Sequence, residues 1–171
     1  MKVSINELRS LIKEILTEQA ELSREEKMDD QWETAIQYLG KAIASSAGGK
    51  YSPEGAIEQG QLDSINIFLP SKDPNSRKGP HVVVEPYYSN LFLGVWNFPE
   101  GGEKVLDLFK ELVSGHGAQV TVQLSKDDGG SIAIEEGKRS YQFFEWFLKN
   151  ASNVGRQVGT FIANNYRDDL K

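Results

Sequence analysis

The chain has 171 residues, of which 39% are apolar and 26% charged, enough for one soluble domain with a buried core plus an appendage. It has no cysteine and only two histidines, His81 and His116, which excludes disulfides and thiolate chemistry and leaves a zinc site or a histidine-based triad little to draw on. A net charge of -6 argues against a dedicated double-stranded nucleic-acid binder, and no apolar run approaches the length of a membrane span.

The predicted elements begin with Ser4-Ile5-Asn6-Glu7, a capping box that opens a helix. Ile5, Leu8, Leu11, Ile12, Ile15 and Leu16 recur at helical spacing and make one apolar stripe. Arg9, Lys13 and Glu14 interrupt this segment, and no small-residue cleavage site follows, so it is not a secretory signal. Residues 18–27 are strongly polar, and Ser23 with Glu26 repeats the capping pattern. A break near Leu22-Ser23 is expected there, with residues 1–28 forming an amphipathic helix and polar linker attached to a single domain at 29–171.

A second helix is expected from Asp29 to Ser46, with Trp32, Ala35, Ile36, Leu39, Ala42 and Ile43 on one face and Gly48-Gly49 as its stop. Residues 49–61, with Pro53, Gly55 and Gly60, read as loop. Strands follow at Asp63–Leu69, His81–Tyr87 and Leu91–Phe98; a turn-rich loop, Pro70–Pro80, separates the first two. Pro99-Glu-Gly-Gly102 then leads into a helix at Glu103–Ser114, whose expected buried face is Val105, Leu108, Phe109 and Leu112. Gly115-His116-Gly117 stops it.

Gln119–Leu124 and Ser131–Glu135 read as a hairpin around Lys126-Asp127-Asp128-Gly129-Gly130. A long helix from Arg139 to Arg167 closes the chain, with Phe143, Phe144, Phe147, Leu148, Ala151, Val154, Val158, Phe161 and Ile162 as its apolar surface. Few large residues follow Asn150, so its far end is expected to project or to pack on a partner. Gly155 and Gly159, four apart, fit a close helix crossing. Strands that arrive mostly as hairpins imply an α+β fold: a mostly antiparallel sheet of about five strands covered by helices, with an N-terminal amphipathic helix.

No residue pattern points to catalysis, a cofactor or a metal. Glu135 and Glu136 are neighbours on a strand and point to opposite faces, while Asp127 and Asp128 sit where a turn uses Asp for its own backbone. His116, at a helix C-terminus, suits the helix dipole. Gly48-Gly49-Lys50 lacks the spacing of a phosphate-binding loop, and no serine sits in a nucleophile elbow. Lys72, Arg77 and Lys78 form the one local basic loop, beside Asp73, and read as solvated.

Tyr87, Tyr88, Phe92, Trp96 and Phe98 are a dense aromatic set. In a regular strand Phe92, Trp96 and Phe98 share one face and Leu91, Leu93 and Val95 the other. This strand is therefore central and covered on both sides, or its aromatic face is a partner surface.

The first eighteen residues, Met1-Lys-Val-Ser-Ile-Asn-Glu-Leu-Arg-Ser-Leu-Ile-Lys-Glu-Ile-Leu-Thr-Glu18, resemble the capsid-targeting leaders of head and internal proteins in large tailed bacteriophages. The resemblance implies a docking face made of Ile5, Leu8, Leu11, Ile12, Ile15 and Leu16. It also implies a processing site at Leu16, Thr17 and Glu18, cut before Gln19, where the family often has a smaller residue. The resulting expectation is a non-enzymatic virion protein, capsid-associated or inside the head, with a protein partner. It would reside in the virion or the host cytoplasm and involve no double-stranded nucleic acid or membrane. A small acidic cytoplasmic protein-binding module, of immunity, chaperone or host-takeover type, is the alternative.

Overall fold

A computed structural model describes residues 5–55, 62–70, 79–87, 90–98, 102–125, 129–136 and 142–170. In chain order the elements are α1 (Ile5–Ala47), β1 (Lys50–Glu54), β2 (Ser64–Phe68), β3 (His81–Tyr87), β4 (Asn90–Trp96), α2 (Glu103–Val113), β5 (Ala118–Ser125), β6 (Gly129–Glu136) and α3 (Gln142–Leu170). The fold is α+β: one six-stranded sheet, ordered β1-β2-β3-β4-β6-β5 and antiparallel at every step, with helices on one face.

The register explains the core. Ile65, Val84, Leu93 and Ile132 align across four strands, and Ile67, Val82 and Val95 form a second row on the same face. Ile65, Ile67, Val82, Val84, Leu91, Leu93 and Val95 are all fully buried beneath the helices. Each such side chain removed from water contributes about 1.5–3 kcal/mol. Strand alternation alone places them.

Two sequence expectations are corrected. The break at Leu22-Ser23 does not form: α1 runs unbroken from Ile5 to Ala47, so the expected boundary at residue 28 falls inside one helix. Its sequence contains no proline and only Gly40, and the Glu, Arg, Lys, Leu and Met of its middle are strong helix formers. Residues 50–54, read as loop, form β1. Pro53 is admissible there because β1 is an edge strand, which needs only half of its N–H groups for the ladder. The turn between α1 and β1 is a Schellman cap: Gly48 takes φ 70 and the Gly49 N–H donates to the Ala44 carbonyl at 2.8 Å.

Helices α1 and α3 pack side by side and run in the same direction. Trp32 meets Phe143, Phe144 and Phe147 at ring-centroid distances of 6.2, 5.5 and 5.2 Å. Farther along both helices, Gly155 lies against Leu39 and Ala42, and Gly159 against Ile43 and Ser46. The close crossing expected for the two glycines is present. The far end of α3 does not project: Ala151, Val154 and Val158 are buried along α1, and Ile162 and Tyr166 are buried as well, Tyr166 against Phe98.

Helix α2 buries Val105, Leu106, Phe109 and Val113, so its inner face is rotated from the expected one, and Leu108 and Leu112 are half-buried. It carries the chain from β4 past β6 to β5 at the far edge, and β6 then returns between them. Beyond it, His116 stacks on Trp146 of α3 at 3.8 Å and 8°. That stacking packs the ring against α3.

Candidate docking surfaces

The first candidate lies on α1. Trp32 packs on the first turns of α3, which begins at Gln142. Residues 5–31 therefore continue the helix beyond α3 by about 40 Å at 1.5 Å per residue. On that extension Leu11, Ile12, Ile15 and Leu16 are 53%, 50%, 47% and 60% exposed. Ser10, Lys13, Glu14 and Thr17 are exposed as well, and the Thr17 hydroxyl donates to the Lys13 carbonyl at 2.8 Å. Ile5, Leu8 and Glu18 lie outside the residues whose side chains are described, although the backbone is helical at all three.

The second candidate is the face of the sheet turned away from the helices. Register places Phe68, His81 and Trp96 in one row across β2, β3 and β4, and Glu85 beside Phe92. The strand residues that join the helix-covered core, among them Ile65, Ile67, Val82, Val84, Leu91, Leu93 and Val95, belong to the other face. Phe68 is 39% exposed, and its ring lies 5.8 Å from the ring of His81. The His81 Nδ1–H donates to the Gly79 carbonyl at 2.9 Å, which fixes the ring beside Phe68.

Phe92 and Trp96 lie on either side of Gly94 and close over it. A methyl at Gly94 would stand 2.8 Å from Trp96 Nε1 and 3.2 Å from Phe92 Cε1. Val83, paired with Gly94, is buried on this outer face. The result is a small apolar patch with a polar rim of Lys50, Glu54, Ser64 and Asn66. Burial beside the patch pushes the Glu85 carboxyl above its ordinary range.

Two of the sequence-predicted aromatics belong to this patch, Phe92 and Trp96. Phe98 does not: Asn97 takes φ 54, breaks the alternation after Trp96, and turns Phe98 into the core, where it meets Tyr166 edge-on at 5.3 Å. The Tyr87 side chain and the whole of Tyr88 lie outside the described residues. So do residues 71–78, with Lys72, Asp73, Arg77 and Lys78, and residues 126–128, with Asp127 and Asp128. The sequence reading missed Phe68, His81 and Val83. The first was visible as a large aromatic alternating with Ile65 and Ile67 on what should be a polar face.

Among the described residues no three His, Asp or Glu side chains converge, and His81 and His116 are engaged with Phe68 and Trp146 respectively. The backbone of Glu135 and Glu136 pairs with Gln119 and Ala118 in the β5–β6 ladder, and their side chains lie outside the described residues. No described helix is long and apolar enough to cross a membrane. Compared with protein-family models, curated proteins and solved structures, the chain matches none.

Proposed function

We propose that the chain is a non-enzymatic virion protein of a large tailed bacteriophage, held to the capsid or inside the head by the N-terminal half of α1. The observation that carries this reading is the stripe of Leu11, Ile12, Ile15 and Leu16, about half exposed on a helix that is already formed. Burying large aliphatic side chains contributes about 1.5–3 kcal/mol each as an upper range, and a preformed helix avoids most of the ordering cost of docking. An amphipathic helix laid in a hydrophobic groove is the recognition mode such a stripe suits.

Leu16, Thr17 and Glu18 lie inside the helix, so cleavage before Gln19 requires local unwinding first. Processing would then be coupled to capture by the protease. Mass spectrometry of purified particles tests both steps. Peptides from the chain in the virion, with an N-terminus at Gln19, support docking followed by cutting. Absence from particles removes the virion reading, and an intact Met1 in particles removes the processing step alone.

The open aromatic face favours a second reading, a small protein-binding module. Phe68, Phe92 and Trp96 around the buried Val83 form an anchor patch with a polar rim, the layout of a protein interface. A partner captured by the native chain, and lost on Trp96→Ala but retained in Leu11→Glu/Ile15→Glu, would assign function to the sheet instead of the helix.

A further inference from the structure

The two edges of the sheet are built differently. At one edge, β1 carries Pro53 and the exposed Lys50 and Glu54, devices that discourage another strand from pairing there. At the other edge, β5 reads Ala118-Gln-Val-Thr-Val-Gln-Leu-Ser125, eight residues without a proline or a charge. Gln119, Thr121 and Gln123 are exposed on the open face, and Val120 and Val122, on the helix side, are only partly buried although they pack against the core. Among the described residues, β6 is the sole partner of β5.

We infer that β5 pairs with β5 of a second copy, antiparallel across a two-fold axis at Thr121, joining two sheets into one. The inference stands on the strand edge and is independent of the role proposed for α1. A two-fold perpendicular to the sheet keeps both helix layers on one side and requires residues of the same face to meet. Placed at Thr121, it sets Thr121 opposite itself, Gln119 opposite Gln123 and Val120 opposite Val122. Threonine pairs and β-branched pairs are favourable across strands, and no like charges meet. The remaining exposure of Val120 and Val122 is covered in the same step. An interface of one strand per copy lies at the small end of specific interfaces, so a weak, concentration-dependent dimer is expected.

The chain has no cysteine, so a single substitution reports the register. Directly opposed residues have Cα atoms about 4.5–5.5 Å apart, within disulfide reach. In the full chain, oxidation of Thr121→Cys is expected to give a crosslinked dimer. Gln119→Cys alone is expected to give none, because its twin lies about 13 Å along the strand. A mixture of Gln119→Cys and Gln123→Cys is expected to crosslink. Sedimentation velocity of the unmodified chain should show a concentration-dependent dimer, weakened at least tenfold by Thr121→Lys and unchanged by Leu11→Glu/Ile15→Glu. Three results overturn the inference: a monomer at every concentration, equal crosslinking at positions 119 and 121, or a dimer lost with the α1 variant and kept with Thr121→Lys.

Discussion

Gly155 of α3 lies directly against the main chain of α1: a methyl group at its Cα would stand 2.5 Å from the Leu39 carbonyl oxygen and 2.8 Å from Ala42 Cβ. The absence of a side chain is what lets two helices from opposite ends of the chain pack closely enough to form the layer under the sheet. The obstacle at Gly155 is backbone, which cannot rotate aside as a side chain would.

Gly155→Ala is therefore expected to destabilise the fold by about 1–3 kcal/mol, despite the roughly 1 kcal/mol that alanine gains over glycine in a helix. Gly159→Ala faces the Ile43 carbonyl oxygen at 2.6 Å and should behave alike. Chemical denaturation measures both. An unchanged or raised midpoint contradicts the close crossing.

Trp96 and Phe98 are two residues apart in sequence and face opposite ways. Phe98 is 7% exposed against Tyr166, so Phe98→Ala should cost about 3–5 kcal/mol. Trp96→Ala, on the open face, should cost clearly less and act on partner capture. Asn97 holds a left-handed backbone at φ 54, so Asn97→Gly should be tolerated and Asn97→Val should destabilise. Thermal melts of the four variants rank these effects. Equal losses at 96 and 98 would contradict the switch of faces at Asn97.

Burial raises the Glu85 carboxyl above its ordinary range, so the folded state holds this proton more tightly than the unfolded chain. Stability contributed through this group falls as pH rises from the unfolded value through the folded one, and is fully lost above it. Glu85→Gln should therefore be more stable than the native chain at neutral pH and lose that advantage in acid. Melting temperatures of both proteins across this range check the sign. A native chain that gains relative stability as pH rises through the carboxylate range contradicts it.

Residues 10–17 are exposed, so deleting residues 1–22 should leave the melting temperature of the body close to that of the full chain. A large fall would mean that the stripe is buried against the body, and would remove the premise of docking through α1.

Much of the core was legible in the sequence because it follows simple periods. Ile65 and Ile67, Leu91 to Val95, and Trp32 to Ile43 all lie where alternation or helical spacing puts them. The continuous helix was hidden by Ser23 and Glu26, which imitate a cap, while the evenly polar stretch around them offers no stripe to follow. Strand β1 was hidden by Pro53, whose tolerance depends on an edge position that only the assembled sheet defines. The path of Phe98 turned on the backbone of one residue, Asn97, which periodicity cannot register. In the first candidate site, Leu11, Ile12, Ile15 and Leu16 lie exposed on the helix that their spacing implied, while the side chains of Ile5 and Leu8 lie outside the described residues. In the second, only Phe92 and Trp96 were legible, because the other members come from separate strands.

The central claim, attachment through α1, is tested most directly by producing particles with the native chain and with Leu11→Glu/Ile15→Glu, and counting copies per virion by quantitative mass spectrometry. Burial of apolar side chains at the stripe predicts that the native chain is incorporated and that the variant, folded and equally abundant in the cell, falls at least tenfold. Equal incorporation of the two, or a native chain missing from the particles, would contradict the claim.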